Sequence, residues 1–375
     1  MKILQALDFF STEFGTPELY LCKAMKRSGD KIVILSSFLS HKKYVKKNSK
    51  ETEIEPDIKV IKVPHLFYVG DWMFFSNKYI KEISKINPEI INIHELRLPL
   101  SYLVAKNKKR LCKPVVLTQH AYKPVQNKFF RVLYYIWMYT FGKTVIKNVD
   151  KFIALSNAQK DYLIKWDIPK DKIEIIPSGV DTNIFLPSKD KNNEVVFLGT
   201  YDKNKLNYYL PIIPELAKKY PKWNFVFYGA GSWDKQINLI TKKFKNVYNR
   251  GFVPKEKVPE ILKKGKIFVL PSINEVFGLS ACEASSCGLP CIVNKTGGLQ
   301  EIVEDGKTGF IFDNNSEELK KKIELLIENE RLRNSMSKKA RERMIKYFDW
   351  KDIAKKTEKA YDEVVKDFKR KSPLK

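Results

Sequence analysis

The stretch Ile267-Phe-Val-Leu-Pro271-Ser-Ile-Asn-Glu275-Val-Phe-Gly278-Leu-Ser-Ala-Cys-Glu283-Ala-Ser-Ser-Cys-Gly288-Leu-Pro290-Cys-Ile-Val293 decides the fold. It opens on a short apolar strand that Pro271-Ser272 stops. A loop then carries Glu275. The run Phe277-Gly278-Leu279-Ser280 starts a helix that carries Glu283 and ends near Gly288-Leu289-Pro290, where glycine suits a C-cap and proline blocks continuation. Strand Cys291–Val293 follows, then a glycine turn, Thr296-Gly297-Gly298, and a second helix start at Leu299–Glu304. Two helix N-termini after two parallel strands offer free backbone N–H groups and positive dipole ends, which suit a diphosphate. Gly278 allows an oxygen to approach the backbone closely. Glu275 and Glu283 are eight residues apart, too far for helical neighbours. They can flank one ligand and accept hydrogen bonds from its hydroxyls; as acids near a helix start they also favour the dipole. A nucleoside diphosphate sugar has hydroxyls at both ends and phosphates between.

Working outward, strands and helices alternate almost throughout. Upstream strands are expected at Lys2–Leu7, Lys31–Ser36, Ile90–Ile93, Val115–Thr118, Lys151–Leu155 and Ile173–Ile176. A second series begins at Val195–Leu198, Asn224–Tyr228 and Val247–Gly251 and ends at Gly309–Phe312. Continuous apolar strands alternating with helices imply parallel sheets covered on both faces. The expected fold class is therefore α/β, with two doubly wound Rossmann-like domains facing across a cleft. Their expected bounds are 1–182 and 183–348, with a helix over 349–370 packing back on the first domain. Nucleotides bind such sheets at the carboxyl ends of the strands.

The chain has 375 residues, 43% of them hydrophobic and 30% charged, ordinary globular usage that excludes a disordered tail. Lys and Arg number 69 against 43 Asp and Glu, a formal charge of +26 that suits an anionic partner. Five cysteines without a C-x-x-C pair favour reduced thiols and no metal site. Asp8 follows the first apolar residues too soon for a signal peptide, so the N-terminus reads as a buried strand. Charge is uneven: the segment from Ser101 to Val149 carries ten Lys and Arg and no acid. Within it a helix over Asn127–Lys143 interleaves Tyr134, Tyr135, Trp137, Tyr139 and Phe141 with Arg131 and Lys143. Such a helix suits a membrane interface; a core helix with snorkelling cations is the other reading. An aromatic-rich loop, His65–Phe75, adds to it. The expected partner is an anionic membrane surface, reached from the cytoplasm by a peripheral protein.

The run from Pro271 to Gly309, with Glu275, Glu283, Gly288-Leu289-Pro290, Gly297-Gly298 and Glu301-Ile-Val-Glu-Asp-Gly306, closely resembles the E-x7-E signature of the retaining glycosyltransferases of family 4, which have the GT-B fold. The resemblance implies that Glu275 contacts the donor sugar and Glu283 the nucleotide ribose. It implies that backbone amides of Phe277, Gly278 and Leu279 reach sugar and phosphates, and that Arg250 ends the strand beneath the base. Gly199 and Lys205 match its phosphate clamp, although Thr200 stands where the family has Arg. His120 matches its catalytic histidine, and Gly15 lies in the loop that approaches the donor. His120, Glu275 and Lys205 are thus the expected catalytic set. The implied reaction is same-face transfer from a UDP- or GDP-sugar to a lipid-linked or glycan acceptor, a leaving phosphate oxygen taking the acceptor proton. No Asp-x-Asp occurs, so neither metal nor cofactor is expected. Other readings are a sugar-nucleotide-binding relative without activity, a GT-B epimerase, and a nucleic-acid-binding protein; the last leaves the glycine-and-glutamate pattern unexplained, so nucleic acid is not an expected partner.

Overall fold

The computed structural model describes residues 1–10, 16–26, 29–37, 51–69, 72–121 and 128–371. Its strands, in chain order, are β1 Lys2–Ala6, β2 Lys31–Ser37, β3 Glu51–Glu55, β4 Ile58–Val63, β5 His65–Val69, β6 Trp72–Phe75, β7 Ile90–His94, β8 Val115–Gln119, β9 Lys151–Ala154 and β10 Ile173–Ile175. The second series is β11 Glu194–Leu198, β12 Asn224–Tyr228, β13 Val247–Asn249, β14 Ile267–Leu270, β15 Cys291–Asn294 and β16 Gly309–Phe312. The contacts divide the chain into two units, Met1–Pro177 with Ile353–Lys375, and Ser178–Asp352. Residues Ser178–Thr182 and Asp349–Asp352 fall in the second unit because they hold each other. Val180 N–H donates to Phe348 O at 2.8 Å, Trp350 N–H to Val180 O at 3.1 Å, and Thr182 Oγ1 to Asp349 Oδ2.

The first unit is an eight-stranded sheet ordered β10-β9-β8-β7-β1-β2-β4-β3. All its pairs are parallel except β3 with β4. Strands β7 and β8 are buried at every residue, as expected when both faces are covered. The order reverses between β1 and β7. Sequence reading did not foresee β4, Ile-Lys-Val-Ile-Lys-Val, because its lysines interrupt the apolar run; it buries Ile58, Val60 and Val63. The segment expected to be an aromatic loop is instead an antiparallel hairpin, β5–β6, with Met73 and Phe75 turned inward. The two-residue alternation of β6 is a strand pattern.

The second unit is a six-stranded, fully parallel sheet ordered β13-β12-β11-β14-β15-β16. This is the doubly wound order in which the first strand lies beside the fourth, and its switch point falls between β11 and β14. One expectation is corrected: the helix at Leu299 is a single turn, Leu299–Ile302, because Glu304 N–H turns to Thr308 Oγ1 at 2.8 Å and Val303 is extended. A single turn has no appreciable dipole, so the diphosphate argument rests on the helix Leu279–Ser286 alone. Among the described residues, no helix is long and apolar enough to cross a membrane.

Candidate active site

In the second unit, the exits of β11 and β14 meet. After β11 the chain turns through Gly199 and Thr200, and Asp202 caps a short helix by accepting the Lys205 N–H at 2.9 Å. After β14 it runs through Ser272 to Glu275. Asn204 stitches the two exits. Its side chain donates to Asn274 O at 3.0 Å and accepts from Asn274 N at 2.8 Å, while its carbonyl accepts from Ile273 N at 2.8 Å. This clamp faces Lys205 to Glu275, whose Oε2 accepts from both Lys205 Nζ and, at 3.1 Å, Ser272 Oγ.

Beyond Glu275 the chain bends at Gly278, with φ +103°, which caps the helix Leu279–Ser286. A side chain there would also strike Leu299, since a Cβ would lie 2.4 Å from its Cδ2. Gly298 packs against this bend, and a Cβ on it would sit 2.9 Å from Phe277 Cα. Phe277 is buried, so its contribution to any ligand is through the backbone. Glu283, the fifth residue of the helix, is 6% exposed and pairs through Oε1 with Lys255 Nζ. Burial pushes its carboxyl above the usual range, and Lys255 opposes that shift.

The remaining expected residues lie at neighbouring strand ends. Gly199 N–H donates to Tyr228 O at 3.0 Å. Arg250 follows β13 and is exposed, its guanidinium 4.7 Å from the centre of the Tyr248 ring. Thr200 is exposed as well. Gly15 lies outside the described residues.

In the first unit, His120 follows β8 near the β1/β7 reversal. Its Nε2 is 2.8 Å from His94 Nδ1 and 3.6 Å from Glu18 Oε1. The ring planes differ by 16° with centroids 5.1 Å apart. Parallel rings in face contact keep their atoms about 3.5 Å apart, so nitrogens 2.8 Å apart put these two edge to edge. One N–H therefore points at the other ring's lone pair. Behind it, His94 Nε2 and Asn92 Nδ2 both face Gln5 Oε1, at 2.9 and 2.8 Å. With His94 donating there, its Nδ1 is the acceptor and His120 Nε2 the donor. Burial, then the neighbouring His120, holds His94 well below the usual histidine range, hence neutral. Glu18, His94 and His120 present possible metal ligands within 4.8 Å of one another. His120 Nε2 and His94 Nδ1 are occupied by the hydrogen bond between them, however, so an ion could enter only if one ring turned. Nearby, Glu95 accepts from Gln119 Nε2 and Ala121 N, each at 2.7 Å, while both Asp8 oxygens are buried without a partner among the described residues.

Sequence reading did not single out Asn204, Lys255, Glu18, Asn92 or His94. The His-Glu pair that ends a buried strand at His94-Glu95 was the available signal for the last. Nothing local marks Lys255, which meets Glu283 from 28 residues away.

A parallel sheet with acids and cations at its switch point suits a phosphorylated ligand, and comparison with known proteins gives the class. The family described as "Glycosyl transferases group 1" matches residues 182–343, and "Glycosyltransferase Family 4" matches residues 19–184. The chain is 25% identical to a phosphatidylinositol N-acetylglucosaminyltransferase chain of Arabidopsis thaliana, over 98% of this chain and 83% of that one. Its fold matches sucrose-phosphate synthase from Thermosynechococcus elongatus with a TM-score of 0.79, covering 98% and 99% of the two chains at 18% identity. Anabaena HepE, solved with UDP-glucose, matches with a TM-score of 0.75, covering 97% and 100% at 19% identity. The chain belongs to the group 1, family 4 glycosyltransferases and has their GT-B fold. It is a sugar transferase.

Proposed function

We propose that this chain moves a sugar, with retention of anomeric configuration and without a metal ion, from a UDP- or GDP-sugar to a hydroxyl of a lipid-linked glycan or glycolipid at the cytoplasmic face of a membrane. In this reading the second unit binds the donor and the first the acceptor. The observation that carries it is the Lys205–Glu275 pair at the switch point, one bend away from the helix that opens at Gly278. Charge builds on the departing diphosphate in the transition state. Lys205 and the N–H groups of Gly278 and Leu279 stabilise it there without reorganisation. Thr200 supplies no charge, so Lys205 carries the larger share. Glu275 receives sugar hydroxyls, Glu283 those of the ribose, and His120 orients the sugar. The acceptor proton passes to the leaving phosphate oxygen.

Two observations support a lipid acceptor. One is the relative named for phosphatidylinositol. The other is a surface of the first unit. The helix Lys128–Trp137, extended by a π-helical turn to Gly142, buries Tyr134, Trp137 and Met138 and exposes Val132, Tyr135, Ile136 and Tyr139. Hairpin β5–β6 exposes Leu66, Phe67, Tyr68 and Val69. The strips are joined at Trp137, whose ring lies 4.9 Å from Trp72 and 6.2 Å from Phe74. Exposed Arg131, Lys143 and Lys147 fringe this apolar face, the arrangement of an interfacial helix on anionic lipid.

The test supplies labelled UDP- and GDP-sugars with vesicles of the host lipid. Label entering the organic phase supports the reading. Label that reaches only water, or never leaves the nucleotide, contradicts it.

A further inference from the structure

The pairing of Lys255 with Glu283 serves no step described so far. We propose that Lys255 is a positioning residue of the donor site, holding Glu283 through Oε1 so that its second oxygen receives the ribose hydroxyls. The inference rests on the donor-site reading above.

Glu283 sits on the inner face of its helix, among Ala281, Cys282, Ala284 and Ser285, all buried. A lone carboxylate in such surroundings is costly and protonates instead. A protonated acid is a poorer acceptor for two adjacent hydroxyls than a carboxylate, whose charge-assisted bonds are about twice as strong. Lys255 counters this from another part of the sheet. It follows Pro254 after β13, in the 3-10 turn Lys255–Lys257, and its side chain is only 21% exposed. Its ammonium also lies 5.8 Å from the centre of the buried Phe185 ring. Oε1 is committed to the ammonium, and no other residue donates to the Glu283 carboxylate among the described residues. The arrangement repeats the chemistry of Lys205 and Glu275: each acid of the pocket is held by a lysine from another strand exit. That repetition, with the burial of both partners, separates this pair from the exposed lysine–glutamate pairs on the surface of the same unit, such as Lys263–Glu260.

The experiment measures binding of UDP, or GDP if that is the nucleotide bound, and of its 2′,3′-dideoxy analogue. It uses the full chain, K255M, E283Q and the double variant. K255M and E283Q are each expected to weaken the ribonucleotide roughly tenfold. The double variant should lose no more than E283Q alone, and the dideoxy analogue should bind all four proteins alike. If K255M does not fold, K255Q takes its place. Unchanged ribonucleotide binding by the Lys255 variant overturns the inference. So does an equal loss for both nucleotides, which would make Lys255 a phosphate ligand or a merely structural residue. Failure of the unaltered chain to bind either nucleotide overturns the donor-site reading itself.

Discussion

The two sheets are wired alike and equipped differently. Among its parallel strands each reverses the strand order once, between β1 and β7 in the first unit and between β11 and β14 in the second. At the second reversal, two acids are each held by a lysine, Glu275 by Lys205 and Glu283 by Lys255. At the first, an edge-to-edge histidine pair backs onto the amides of Gln5 and Asn92, and Asp8 is buried with no partner among the described residues. Topology thus fixes where a site can form, and the side chains at the strand exits decide its chemistry. Fixed charge suits a diphosphate, whereas a largely neutral network suits hydroxyls.

Removing the fixed charge should have the largest effect. Lys205→Ala or Glu275→Gln is expected to lower kcat by about a hundredfold to a thousandfold, with circular dichroism unchanged. Near-normal turnover in either variant would break the contrast between the units. Changes to the neutral network should cost less. His120→Ala, and His94→Gln acting through it, are expected to lower kcat by roughly tenfold to a hundredfold by misplacing a sugar contact. If steady-state kinetics gave His94→Gln a larger loss than Lys205→Ala, the first reversal would be the more demanding one.

The pattern from Ile267 to Phe312 was legible in sequence because its information is local. Strand, proline stop, loop acid, Gly278 bend and helix follow one another without long-range help. The doubly wound alternation was legible for the same reason. Pairings between strand exits were not. Asn204 with Asn274, Lys255 with Glu283, and His94 with His120 depend on strand order, which residue spacing does not contain. The single turn at Leu299 was misjudged because its end is set by the Thr308 hydroxyl rather than by a helix breaker. Of the helix expected over Asn127–Lys143, Asn127 lies outside the described residues, and the core reading holds for one face only. Tyr134 and Trp137 are core, while Ile136 and Tyr139, at 56% and 61% exposure, are surface.

Two smaller effects concern the first unit only. Phe67→Asp or Ile136→Asp each removes one large apolar side chain from the exposed face, so partitioning onto anionic vesicles should fall about tenfold. Sedimentation with neutral and anionic vesicles measures this, and an unchanged bound fraction would detach the face from the membrane. The smallest expected effect is on stability. Burial, then Glu95, raises the Asp8 carboxyl well above its unfolded value of 3.8, while Arg97 pulls it down. The folded chain therefore holds this proton after the unfolded chain has lost it. Stability from this group is greatest below pH 3.8 and falls as pH rises toward the raised folded value. Asp8→Asn should flatten that fall and raise the neutral-pH Tm by about 2–4 °C for each kcal/mol gained. A lower Tm in the variant would mean that Asp8 is paired and charged.

The most direct test of the donor site is a crystal structure of the chain with UDP or GDP bound. The diphosphate should lie within hydrogen-bond distance of Lys205 Nζ and the N–H groups at Gly278 and Leu279, with the ribose hydroxyls on Glu283. A nucleotide seated away from the β11 and β14 exits, with both lysine–glutamate pairs untouched, would contradict the account.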